Sequence, residues 1–176
     1  MKRWVFLALL ALLCVLVPAC LAEEEPQVFT SGDYWYILLP GGGAEITRYT
    51  GYAADLTVPA QLDGYAVRRI GDEAFYWRSS LASITLPEGL ESIGDEAFSW
   101  CSSLASVTLP EGLESIGDNA FSDCSSLASV TLPEGLQSIE DGAFNGCDNL
   151  ELTVVRDSYA HRWAEEHSIP YVFPAL

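Results

Sequence analysis

The chain has 176 residues, with 25 acidic against 8 basic side chains and a formal net charge of −17. So acidic a surface repels nucleic acid and anionic lipid headgroups, which excludes both as natural partners. Hydrophobic residues make up 49% of the sequence, enough for one domain with a real core.

Lys2-Arg3 opens the chain, an apolar run from Trp4 to Ala22 follows, and Glu23-Glu24-Glu25 closes it. A charged start, an apolar centre and a small-residue exit make residues 1–22 a secretory signal peptide. Pro18 breaks the run before the acidic flank, which favours cleavage over a retained anchor. The mature chain is therefore expected to carry no transmembrane segment. Two cleavage sites compete. Cys20-Leu21-Ala22 suits ordinary signal peptidase and a mature start at Glu23. Val17-Pro18-Ala19-Cys20 resembles a lipobox, which would leave Cys20 acylated, although its proline departs from the usual pattern. The secreted product is the favoured reading, with a lipid anchor through Cys20 as the other. Without the leader, 25 acids face six arginines. That charge keeps an extracellular protein soluble, and would also suit cationic partners.

Residues 23–32 are acidic and irregular, a short tether. Residues 33–55 form an N-terminal β cap. Tyr34 to Leu38 is a strand run, Pro40-Gly41-Gly42-Gly43 is a turn, and Ala44 to Tyr49 alternates as a second strand.

From there one phrase recurs every 23 residues: Ile70-Gly71-Asp72-Glu73-Ala74-Phe75, then Ile93 to Phe98, Ile116 to Phe121 and Ile139 to Phe144. Leu81, Leu104, Leu127 and Leu150 keep the same period, as do Leu86-Pro87, Leu109-Pro110 and Leu132-Pro133. A fixed short period means a solenoid in which each rung stacks on its neighbours. Residues 56–149 are assigned to the repeats, in four to five rungs. In each, Val107-type residues point inward, Thr108-type residues outward, and Pro110-Glu111-Gly112 turns the chain. Asp118 and its equivalents are expected to cap a short helical turn carrying Ala120 and Phe121, rather than to bind calcium. Cys101, Cys124 and Cys147 recur at one site, and their odd number argues for buried free thiols rather than full pairing. Residues 150–176 form the C-terminal cap. Its strand from Leu150 to Val154 has slipped by one residue against the repeat, and a helix from Tyr159 to about His167 follows, with Ser158 as N-cap.

The unit Leu-x-x-Ile-x-Leu-Pro-x-x-Leu-x-x-Ile-Gly-x-x-Ala-Phe-x-x-Cys, matched at every fixed place from Leu104 to Cys124, resembles the BspA-like or treponemal leucine-rich repeat. The resemblance covers about residues 33–173. Arg78 departs from it in place of a cysteine, and Glu140 in place of a glycine. It implies an α/β solenoid, with a parallel β-sheet on one side and short helical turns on the other. It also implies a secreted or surface protein of a host-associated bacterium, in some cases an adhesin for host matrix proteins. The family brings no catalytic residues to carry over.

No catalytic, cofactor or metal residues are assigned. His161 and His167 lie six apart, a spacing that does not share a helix face. Two candidate partner-binding surfaces remain. Ser83, Thr85, Ser106, Thr108, Ser129 and Thr131 should form outward hydroxyl ladders for a protein partner. Trp77 and Trp100 occupy one site in consecutive rungs. They either grip a glycan or a partner's side chains, or pack under the hairpin with Tyr34, Trp35 and Tyr52. A protein-interaction or adhesion module is the leading reading, with a carbohydrate-binding domain or a structural spacer as alternatives.

Overall fold

A computed structural model describes residues 26–175. The expected leader, both expected cleavage sites with Cys20, and residues 23–25 of the expected tether lie outside the described residues. The chain runs through β1 (Val28–Ser31), β2 (Tyr34–Leu38), β3 (Ala44–Tyr49), β4 (Asp55–Thr57), β5 (Gln61–Leu62), β6 (Tyr65–Ile70), β7 (Ser83–Thr85), β8 (Ser92–Ile93), β9 (Ser106–Thr108), β10 (Ser115–Ile116), β11 (Ser129–Thr131), β12 (Ser138–Ile139), β13 (Glu151–Thr153), α1 (Tyr159–Glu166) and β14 (Tyr171–Val172).

These strands form a solenoid with two parallel stacks. One sheet has the order β14-β13-β11-β9-β7-β4. The other runs β1-β2-β3-β6-β8-β10-β12, with β5 paired to β6. Each regular rung therefore contributes a three-residue strand, a Pro-Glu-Gly turn and a two-residue return strand. The turn closes as expected, Leu113 N donating to Pro110 O at 3.1 Å. The return strand was not expected, because two residues are too few to show a period.

The third side of the rung is a run of turns. Ala120 N donates to Gly117 O and Ser122 N to Asn119 O, each an i to i+3 bond. The expected helical turn does not continue. Glu73, Glu96 and Asn119 take left-handed φ of 55°, 52° and 52°, which swings alternate N–H groups along the solenoid axis. Phe75, Phe98 and Phe121 then donate to the carbonyls of Ala97, Ala120 and Ala143 at 2.8, 2.7 and 2.8 Å. The turn side thus has its own ladder between rungs. The aspartates serve that ladder too. Asp72 Oδ1 accepts from Asp95 N at 2.9 Å, and Asp95 Oδ1 from Asp118 N at 2.8 Å, so each carboxylate caps the next rung rather than its own.

Inside, the rings form one column. Phe75, Phe98, Phe121 and Phe144 stack with centroids 4.9, 5.1 and 5.4 Å apart. Tyr49 closes the column at one end and Trp163 of α1 at the other. The caps differ from expectation at one boundary. Residues 26–32, read as tether, contain β1, which pairs antiparallel with β2 and makes the cap three-stranded. The insertion after the first rung strand is a hairpin turned at Asp63-Gly64, φ 49° and 89°. Ser31 and Tyr36 each donate to the Asp63 carboxylate at 2.9 Å, tying that hairpin to the cap. At the other end Ser158 Oγ accepts from His161 N at 3.1 Å, the N-cap read from the sequence. Beyond the helix, β14 adds a sixth parallel strand to the first sheet.

Cys101, Cys124 and Cys147 are buried and unpaired, and each donates its thiol to the phenylalanine carbonyl of the preceding rung at 3.2 Å. Burial pushes the Cys101 and Cys147 thiols up to about 11, and Cys124, flanked by the other two, higher still. Native protein should accordingly react slowly with a thiol reagent, and denatured mature protein without reductant should show three free thiols. One free thiol would establish a disulfide instead. The same burial makes the fold sensitive to alkali. Below the ordinary thiol value of 9.0 both folded and unfolded chains keep their protons. As pH rises from there through about 11, the unfolded chain ionises and the folded chain cannot, so stability should fall across that window.

Candidate functional site

Strand alternation decides what the first sheet shows to solvent. Ile84, Val107, Val130 and Leu152 point into the core, so their neighbours point out. Register aligns Thr57 with Thr85, Thr85 with Thr108, and Thr131 with Thr153. The outward rank is thus five threonines long, two more than the candidate set. Thr153 escaped the period because its partner lies 22 rather than 23 residues back. This is the slipped register of the last strand. Beside it runs Asp55, Ser83, Ser106, Ser129 and Glu151, a serine rank ended by acids. Thr85, Ser106, Thr108, Ser129 and Thr131 are exposed, whereas Ser83 is half-buried and gives its hydroxyl to Asp55 Oδ1 at 2.5 Å. With rungs about 4.8 Å apart the strip is flat and even.

The indoles stand on the turn side. Trp77 and Trp100 are 64% and 48% exposed, with ring centroids 6.1 Å apart and planes inclined by 31°. They do not pack under the hairpin. Tyr34 instead meets Tyr49 at 5.2 Å with the rings tilted by 42°, Trp35 lies exposed with Arg48 over its ring, and Tyr52 is 84% exposed. Both indoles sit on left-handed backbone, φ 57° and 62°. For a bulky residue that conformation costs about 1–2 kcal/mol. The following rungs place Asp123 and Gly146 there, φ 57° and 73°, residue types that bear it cheaply.

The histidines stay apart. His161 packs edge-on against Tyr171 and Phe173, while His167 stacks on Trp163 with centroids 4.1 Å apart. They are ring partners within the cap.

A sequence profile of the BspA-type leucine-rich-repeat region matches residues 64–161 in six copies. The chain belongs to the BspA-type leucine-rich-repeat family. The matched residues take in β7, β9, β11 and β13 of the first sheet, while β4 and β14 lie on either side of them. Among solved structures, a leucine-rich-repeat protein of Treponema pallidum is 32% identical, with 72% of this chain and 71% of that one covered and a TM-score of 0.57. One from Bacteroides capillosus is 28% identical, with 71% and 97% covered and a TM-score of 0.63. A leucine-rich cell surface protein of Faecalibacterium prausnitzii is 33% identical and has a TM-score of 0.63. The match takes in 76% of this chain and 44% of that longer protein. No curated protein matches the chain. Repeat proteins of the BspA type are typically surface or secreted, and their fold is typically non-catalytic. No helix among the described residues is long and apolar enough to cross a membrane.

Proposed function

We propose that this BspA-type chain is an exported protein-interaction module of a host-associated bacterium, acting in adhesion by binding rather than by catalysis. Its docking surface is the strip of Thr85, Thr108 and Thr131 with Ser83, Ser106 and Ser129. The in-register rank of five threonines carries the reading. It is a broad, level, hydroxyl-lined face with no charged side chain in the rank itself, and a partner can approach it closely along several rungs. The leader at residues 1–22 and the surface description of the F. prausnitzii relative support a place outside the cytoplasm.

The test uses protein exported by a bacterial host, captured against a panel of host matrix and surface proteins. Its intact mass should begin at Glu23; a mass beginning at Cys20 with acyl chains would make it a lipid-anchored surface protein. Thr108→Arg with Thr131→Arg should abolish capture while leaving the circular dichroism unchanged, because long side chains rising from the strip hold a partner off. Capture that survives both changes would place the partner elsewhere. Failure to capture any member of the panel would favour a structural spacer.

A further inference from the structure

Two tryptophans stand where folding would choose other residues. Trp77 and Trp100 hold a left-handed backbone that the next two rungs give to Asp123 and Gly146. Both indoles also remain largely in water, 64% and 48% exposed. Neither backbone preference nor burial accounts for them, and strain kept at an exposed position points to a binding role.

The aromatic rings continue past Trp77. Tyr76 meets it edge-on at 6.2 Å, and Tyr76 also lines a hollow of about 300 Å³ with Thr47, Arg48, Asp72, Glu73 and Arg78. The exposed aromatic rings therefore border a polar recess through Tyr76. The recess is lined by two arginines, two acidic residues, a threonine and Tyr76, so its lining combines donors and acceptors with balanced formal charge. Neither Arg48 nor Arg78 is in an ion pair among the described residues, and the Arg78 Nε is buried without an acceptor. Asp72 already accepts from Asp95 N through Oδ1, while Glu73 is exposed at the rim.

We infer that Tyr76, Trp77 and Trp100, with the recess of Thr47, Arg48, Asp72, Glu73 and Arg78, form a binding site for a neutral oligosaccharide. The indole centroids lie 6.1 Å apart, comparable with the length of one pyranose unit, so consecutive sugar rings can each lay an apolar face on an indole. The terminal sugar enters the recess, where its hydroxyls, each both donor and acceptor, meet the arginines and the carboxylates. The exported chain's 25 acids against six arginines repel an acidic glycan, and the balanced recess offers nothing to offset that repulsion. This site lies on the turn side of the rungs, apart from the threonine strip, and the two stand or fall separately.

The test titrates the full exported chain with cellohexaose, maltohexaose and chitohexaose as neutral probes and a galacturonate hexamer as the acidic one. Tryptophan fluorescence and calorimetry provide the readouts. At least one neutral hexamer should bind and quench, more tightly than the acidic one. The Trp77→Asn, Trp100→Asn double variant should lose affinity at least tenfold, yet its unfolding midpoint should stay level or rise, because asparagine accepts the left-handed backbone. Arg48→Gln should weaken binding several-fold, and Thr108→Arg with Thr131→Arg should leave it unchanged. The proposal is overturned if no neutral hexamer binds at millimolar concentration, if the acidic hexamer binds more tightly, or if the double variant keeps its affinity. A lowered midpoint in that variant would assign the indoles to the fold and overturn it equally.

Discussion

Replacing Phe121 with alanine should lower the unfolding free energy by about 3–5 kcal/mol, the largest loss expected from any single change in the rungs. The ring has no exposed surface and lies between Phe98 at 5.1 Å and Phe144 at 5.4 Å, tilted by 7° and 4° against them. Its removal takes away buried apolar area and two ring contacts at once, and leaves a gap that a stack held at a fixed rung spacing closes poorly. Because a solenoid's stability is shared between neighbouring rungs, the damage falls on both interfaces of the third rung. Phe144→Ala should cost less. That ring is already 6% exposed, and Trp163 meets it edge-on at 6.0 Å. Chemical denaturation of both variants decides the matter. A loss below about 1 kcal/mol at Phe121 would contradict the central column, and a larger loss at Phe144 would contradict the argument from position.

Strict repetition made most of this column legible in the sequence. Phe75, Phe98, Phe121 and Phe144 fall 23 apart, and only a stacked rung satisfies that spacing over so many copies. The ends of the column were less legible. Tyr49 and Trp163 complete it from elements outside the repeat, so no period connects them to the phenylalanines. The destination of the aspartate side chains was hidden for another reason. A cap within one turn and a cap onto the next rung need the same residue at the same spacing, and only the left-handed backbone at Glu73, Glu96 and Asn119 separates them. The candidate surfaces divide in the same way. Alternation within three-residue strands showed which threonines face out. The one-residue deletion before Thr153 concealed the end of the rank. The hollow that brings Tyr76 together with Arg48 and Arg78 depends on how the cap folds back on the first rung, which lies beyond any local pattern.

Gly117→Ala should destabilise by about 1–3 kcal/mol, although alanine in place of glycine ordinarily stabilises when the backbone allows it. A Cβ at Gly117 would collide with Asp95 Oδ1 and stand 2.7 Å from the Asp95 backbone nitrogen. The second of these is backbone and cannot step aside, so the rungs must part. The natural sequence contains the same experiment one rung later. Glu140 occupies the glycine place there, and the bond from Asp141 N to the Asp118 carboxylate is missing among the described residues. The adjoining ladder bond has stretched as well. Asn119 N lies 3.4 Å from Asp141 O, against 2.8 Å between Glu96 N and Asp118 O and 2.9 Å between Glu73 N and Asp95 O. A side chain at this place thus loosens the ladder, and near the end of the stack the loss is tolerated. Glu140→Gly should restore the missing bond, worth about 1 kcal/mol, but it also frees the unfolded backbone at a cost of about 0.5–1 kcal/mol. Its net effect should lie within about 1 kcal/mol of zero. The contrast in sign is what thermal and chemical unfolding of the two variants would measure. A Gly117→Ala protein as stable as its parent would show that the rungs have slack, and glycine's place in the repeat would then need a reason other than close approach.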